Sequence, residues 1–160
     1  MSPARRRVSS GGPFEEAVGY SRAVAAGEFI FVSGCTSIAD GKIVHEGDAA
    51  KQTEQALLNV SAALEQLGAS LADVVQTRIY VTDIASWPQV GEAHRLAFEL
   101  ARPAATMVQV AALIDPKLLV EVEVVAHRAG GPDPDPEEPD DSEVPPDAIR
   151  LDDPSPDPDI

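Results

Sequence analysis

The chain has 160 residues, one cysteine, and 12 Lys or Arg against 27 Asp or Glu, for a formal net charge of −15. Twelve of the acidic residues and nine of the 14 prolines fall in 129–160 beside a single arginine, Arg150, so residues 1–128 carry a net charge near −4. The length suits one domain, and the near-neutral body argues against nucleic-acid binding, which depends on Lys and Arg neutralising phosphates.

At the N-terminus Arg5, Arg6 and Arg7 form the one basic run, read as a solvated end within a flexible arm over 1–12. No apolar stretch follows it, so it does not read as a signal peptide. No run approaches the roughly 20 apolar residues of a membrane span, so no membrane partner is expected. The lone Cys35 permits no intrachain disulfide, and cytoplasmic residence is the expectation.

Tyr20–Ala25 and Glu28–Ser33 flank Ala26-Gly27 and read as a hairpin. The Asp40-Gly41 turn precedes a short extended piece at Lys42–Val44. Asp48 is placed to cap a helix running to Leu67, with Leu57, Val60, Leu64 and Leu67 on one stripe and Gly68 closing it. Val74–Thr82 reads as a strand, with Val75, Thr77, Ile79 and Val81 on one face. A second helix is expected over Ser86–Ala101, with Pro88 in its first turn and Arg102-Pro103 ending it. Trp87 is expected to pack at its start.

Ala105–Ala111 and Leu118–His127 complete the strands. In the last of them Leu118, Val120, Val122, Val124 and Ala126 share a face opposite Glu121, Glu123 and His127. The plan is α+β: a mixed sheet with two helices on its apolar face and a second, polar face turned to solvent or to an assembly partner. Residues 129–160, with their repeated Pro-Asp pattern, bury too little apolar surface to offset ordering entropy and read as a disordered acidic tail.

Several segments together resemble the Rid/YjgF (reactive intermediate deaminase) family. They are Gly19-Tyr20-Ser21-Arg22-Ala23-Val24, Val32-Ser33-Gly34, Gln55–Val60 with Leu67-Gly68-Ala69, Tyr80-Val81-Thr82-Asp83, Arg102-Pro103-Ala104 and Val120-Glu121-Val122-Glu123. They run in the family's order from Gly19 to Arg128, which fits a Rid-like domain over 13–128. The resemblance implies a chorismate-mutase-like fold, a homotrimer whose sheets form a central barrel, and ligand clefts between subunits. In the deaminase branch it implies hydrolysis of enamines and imines such as 2-aminoacrylate, with no cofactor and no metal. An arginine there clamps the substrate carboxylate, and a glutamate on the last strand positions water.

Carried onto this chain, the water-positioning glutamate is Glu121, the pocket tyrosine Tyr20 and the hairpin serine Ser33. Each also has a plainer reading: Glu121 as the partner of Arg78, Tyr20 as an interface aromatic, Ser33 as a turn residue. The arginine's position holds Ala105, followed by Thr106 and by Met107 where the family commonly has cysteine. Loss of such a charged partner to an anion costs about 2–5 kcal/mol, so the usual deaminase activity is in question. The expectation is a homotrimer binding a small carboxylate or imine-like metabolite. The alternative is a deaminase whose anion site has moved to Arg22, two residues along the strand from Tyr20. Arg22 otherwise reads as a salt-bridging residue, and Arg102 as a cap of the preceding helix. His45, His94 and His127 fall at no metal-ligand spacing, and no His/His or His/Lys pair suits RNA cleavage.

Overall fold

A computed structural model describes residues 5–129. In chain order the elements are β1 (Arg5–Val8), a short helix α1 (Pro13–Val18), β2 (Ala23–Ala26), β3 (Phe29–Cys35), β4 (Ile38–Ala39), β5 (Lys42–Ile43), α2 (Ala49–Glu65), β6 (Val74–Val81), α3 (Trp87–Ala97), β7 (Ala104–Gln109) and β8 (Val120–His127). Six strands form one sheet in the order β1-β2-β3-β8-β6-β7, with β4 and β5 a separate small hairpin. All sheet neighbours are antiparallel except β6 and β7, which run parallel across the α3 connection. The sheet is therefore mixed.

Strand alternation sets the layers. Along β8, Val120, Val122, Val124 and Ala126 are buried while Glu121, Glu123, Val125 and His127 are half-exposed, the period of two expected from the sequence. The buried row meets α2, whose stripe of Leu57, Val60 and Leu64, continued by Leu67, is at most 3% exposed. Burial of each such side chain is worth about 1.5–3 kcal/mol. Helix α2 lies on β8 and β3, and α3 packs on α2. The Asp48 carboxylate accepts from the Lys51 amide at 3.0 Å, the N-terminal cap expected; the helix ends at Glu65, two residues short of the expected Leu67, and Gly68 takes the left-handed conformation at φ 73° just beyond it.

The differences from the sequence reading have local causes. Arg5–Val8 are not part of a flexible arm: they pair antiparallel with Ala23–Ala26, Val8 is buried, and the edge of β2 is thereby covered. Helix α1, which carries no long apolar stripe, was not expected; Pro13 sits in its first turn and Gly19 ends it at φ 80°. The first hairpin turns on Gly27-Glu28, one residue later than expected, because Gly27 supplies φ 61°. In β6 a register shift between Val74 and Gln76 buries Val74 and leaves Val75 exposed, so Val75 does not share the face of Thr77, Ile79 and Val81. Helix α3 stops at Ala97, where Phe98 turns into the core at 2% exposure, and Trp87 at its start is exposed. The expected tail lies, from Gly130 onward, outside the described residues.

Candidate functional site

The antiparallel register of β3 against β8 slips between Val32 and Cys35, so Ser33 and Gly34 bulge out of the ladder. The Ser33 hydroxyl donates to the Ser21 carbonyl at 2.6 Å, and the Ser33 amide donates to the Arg22 carbonyl. These bonds fix the bulge against the strand that enters β2. A Cβ on Gly34 would fall 1.8 Å from Glu121 Oε1 and 2.7 Å from its Cδ. The missing side chain at 34 is therefore what lets Glu121, on the neighbouring β8, lie across the bulge.

Arg22 fills the space behind it. Its Nη1 donates to the Gly34 carbonyl at 2.6 Å and, more weakly, to the Ser33 carbonyl at 3.3 Å; its Nη2 donates to the Tyr20 hydroxyl at 3.1 Å. The guanidinium carbon also stands 5.5 Å from the centroid of the Tyr20 ring. On its remaining side, Nε lies 3.7 Å from the carboxylate of Glu15, a residue only 7% exposed. Glu15 is further held by the Ser9 hydroxyl at 2.6 Å, the Ser10 amide at 3.0 Å and the Ser10 hydroxyl. Burial pushes the Glu15 carboxyl up, but the bonds from Ser10 and Ser9 and the charge of Arg22 outweigh it and hold the group below the usual carboxylate range. Cys35 is buried beside Arg22, and burial pushes its thiol up, against the pull of that charge.

Glu121 is in the opposite condition. It is half-buried, and among the described residues its carboxylate takes part in no hydrogen bond or ion pair. Burial pushes its carboxyl up; Arg22 draws it down and Glu123 adds to the rise. The pairing with Arg78 left open by the sequence goes elsewhere: Arg78 Nη1 donates to Glu123 at 2.7 Å. The register explains the choice, since Arg78 stands opposite Glu123 while Glu121 stands opposite Tyr80.

The structure thus brings Tyr20, Arg22, Ser33 and Glu121 around one bulge, together with Gly34, Cys35 and Glu15. It does not bring Ala105, Thr106 and Met107 there within one chain. These lie on β7, beyond β6 from β8 and about 10 Å away at the usual strand spacing. They also divide between faces: Thr106 stands opposite Arg78 on the polar face, whereas Ala105 and Met107 stand opposite Thr77 and Ile79, and Met107 packs on the core. Arg102 does not cap α3 through its side chain; with His94, Arg95 and Glu99 it lines a separate surface cavity of about 500 Å³. Glu15 and Gly34 were missed as site residues. The Ser33-Gly34 pair signals a bend, but nothing local in the sequence connects it to Glu121.

Among the described residues no three His, Cys, Asp or Glu side chains are grouped to hold a metal ion, and no helix is long and apolar enough to cross a membrane. The sequence profile of the Endoribonuclease L-PSP family matches residues 13–128. An uncharacterized protein of Streptomyces coelicolor is 39% identical over 127 residues, which is 79% of this chain and 95% of that protein. The 3-aminoacrylate deaminase RutC of Acinetobacter baylyi is 36% identical over 109 residues, covering 68% of this chain and 86% of the enzyme. Among solved structures, a Mycobacterium tuberculosis member of the YjgF/YER057c/UK114 family superposes with a TM-score of 0.71 at 53% identity, covering 78% of this chain and 99% of that one. On the profile, the relatives and the sheet order together, the chain belongs to the Endoribonuclease L-PSP family, which is the YjgF/Rid family, and has its chorismate-mutase-like fold.

Proposed function

We propose that this chain is a homotrimeric member of the family that binds a small carboxylate or imine-like metabolite in clefts between subunits, with Glu121 as the binding residue and with the usual deaminase activity lost or strongly reduced. The observation that carries the reading is the unpaired, half-buried carboxylate of Glu121, held over Gly34 on the sheet face the helices leave uncovered. A group that has lost part of its hydration without gaining a protein partner is disfavoured in the isolated chain, and a ligand or its bound water supplies what is missing. Assembly is supported by the same face, where Phe29, Phe31 and Val108 are each more than 40% exposed. Packing of such faces would carry β7 of one copy, with Ala105, Thr106 and Met107, toward the Glu121 bulge of another.

Ala105 supports reduced deamination, because it offers no charge to a substrate carboxylate. Arg22 is a poor substitute, since its Nη1 is directed at the Gly34 and Ser33 carbonyls, its Nη2 bonds the Tyr20 hydroxyl and its charge faces Glu15. The competing reading, an active enamine or imine deaminase in which Glu121 positions the attacking water, is favoured by the likeness to a 3-aminoacrylate deaminase. Trapping freshly generated 2-aminoacrylate or 2-iminobutanoate with semicarbazide separates the two. Decay at the buffer rate is expected, and acceleration of a hundredfold or more that Glu121→Gln abolishes would establish the deaminase instead. Light scattering tests the assembly, and a monomeric mass would remove the cleft.

A further inference from the structure

The one run of adjacent cations in the chain, Arg5, Arg6 and Arg7, makes up most of β1. Arg22, Arg78, Arg95 and Lys117 elsewhere are each matched to a glutamate. Arg5 and Arg7 are exposed, form no ion pair among the described residues, and by alternation share the face opposite the buried Val8. Strand β1 is the edge of the sheet, so its outer side has no neighbouring strand. One row of paired residues runs across the sheet from Arg5 through Ala26 and Phe29 to His127, the last residue of β8. The chain thus leaves the sheet three strands from Arg5, about 14 Å at the usual spacing. The next residue, Arg128, is still fastened to the hairpin, its amide donating to the Glu28 carbonyl at 2.8 Å.

Beyond Arg128 the chain turns acidic at once: seven carboxylates fall in 133–143, with no cation among them. Five peptide steps span at most about 17 Å, which brings Asp133 within reach of Arg5 and leaves the following acids to reach Arg7. We propose that the acidic segment 133–143 of this chain docks on Arg5 and Arg7 and covers the outer edge of β1. Single pairs of this kind are weak at a surface. Several on a short tether act together, because the tether holds the acids at a millimolar effective concentration. Arginine suits them, since its planar fork takes a carboxylate through two parallel bonds. Pro134, Pro136 and Pro139 lack the N–H that a seventh strand would need, so the contact runs through side-chain carboxylates. The acid beside this row, Glu28, is turned to His127 at 3.4 Å.

A nitroxide attached to Ser142→Cys in the full chain reports where the segment lies, the buried Cys35 staying unlabelled. Strand β7 is the internal control, because it stands two strands from β8 whereas β1 stands three. At about 0.01 M salt, where charges act over about 30 Å, the β1 amides are expected to broaden at least about threefold more than those of residues 104–106. At about 1 M salt, where the range is about 3 Å, the excess is expected to vanish. Arg5→Gln with Arg7→Gln is expected to remove it at low salt as well. Equal broadening of the two strands at low salt, or more at β7, would overturn the proposal, as would an excess that survives high salt. If the double variant disturbs β1, Asp133→Asn, Asp135→Asn, Glu137→Gln and Glu138→Gln together leave the strand untouched. That chain must lose the excess too, and its persistence there would equally overturn the docking.

Discussion

Two carboxylates lie near the one guanidinium of Arg22, and the fold treats them in opposite ways. Glu15, on the short helix α1, receives two serine hydroxyls, a backbone amide and the Arg22 charge, and its carboxyl is held below the usual range. Glu121, on β8, receives no partner from the described chain, and burial pushes its carboxyl up. One is a tie that fastens the N-terminal segment to the first hairpin. The other is a group the fold positions through Gly34 and then leaves unanswered. The contrast separates a polar residue retained for structure from one that makes sense only with something bound.

The comparison can be broken most forcefully from the Glu15 side. Glu15→Gln removes charge-assisted bonds and leaves Arg22 half-matched; it is expected to lower stability by about 1.5–3 kcal/mol in a denaturant titration. The two carboxylates should next separate in their pH response. A lowered folded pKa means that Glu15 contributes stability above the usual value of 4.5, and that this is lost as pH falls through the lowered pKa. A raised folded pKa reverses the sign for Glu121: its penalty is absent below 4.5 and develops as pH rises through the raised value. The stability gap between wild type and Glu15→Gln should therefore shrink on acidification. The gap between wild type and Glu121→Gln should open toward neutral pH, with the variant the more stable. Parallel curves for the two variants would erase the distinction drawn here.

Smaller effects sharpen it. Gly34→Ala brings its new methyl against the end of a flexible side chain rather than against backbone, so Glu121 can swing aside. The expected cost is under about 1 kcal/mol in a denaturant titration. Glu121→Gln itself should change stability at pH 7 by no more than about 0.5 kcal/mol in the same titration, the smallest of these shifts. A large loss of stability in that variant would show that the carboxylate has a structural partner after all.

Features set by local periodicity were legible in the sequence: the buried rows of β8 and α2, the Asp48 cap and the Gly68 stop; Tyr20, Ser33 and Glu121 were singled out only through the family resemblance, and Arg22 by its strand spacing from Tyr20. Features set by register were not. Alternation places both Glu121 and Glu123 on the face of Arg78, and only the pairing of β6 with β8 assigns the arginine to Glu123. The same holds for Val75, whose exposure follows from one extra residue in β6. An Arg-Arg-Arg-Val stretch has no strand period of its own and becomes β1 because β2 offers it an edge. Glu15 reads as an ordinary acidic residue until Ser9 and Ser10 fold back over it.

The contact between Gly34 and Glu121 also has a consequence for how this domain can drift over generations. With 1.8 Å between a notional Cβ and the carboxylate oxygen, any side chain at position 34 displaces the Glu121 carboxylate from its place over the bulge. A relative that gains a side chain at the first should show a shortened or redirected residue at the second. The two alignment columns are expected to co-vary as a unit, so that the bulge and the acid are inherited together or abandoned together.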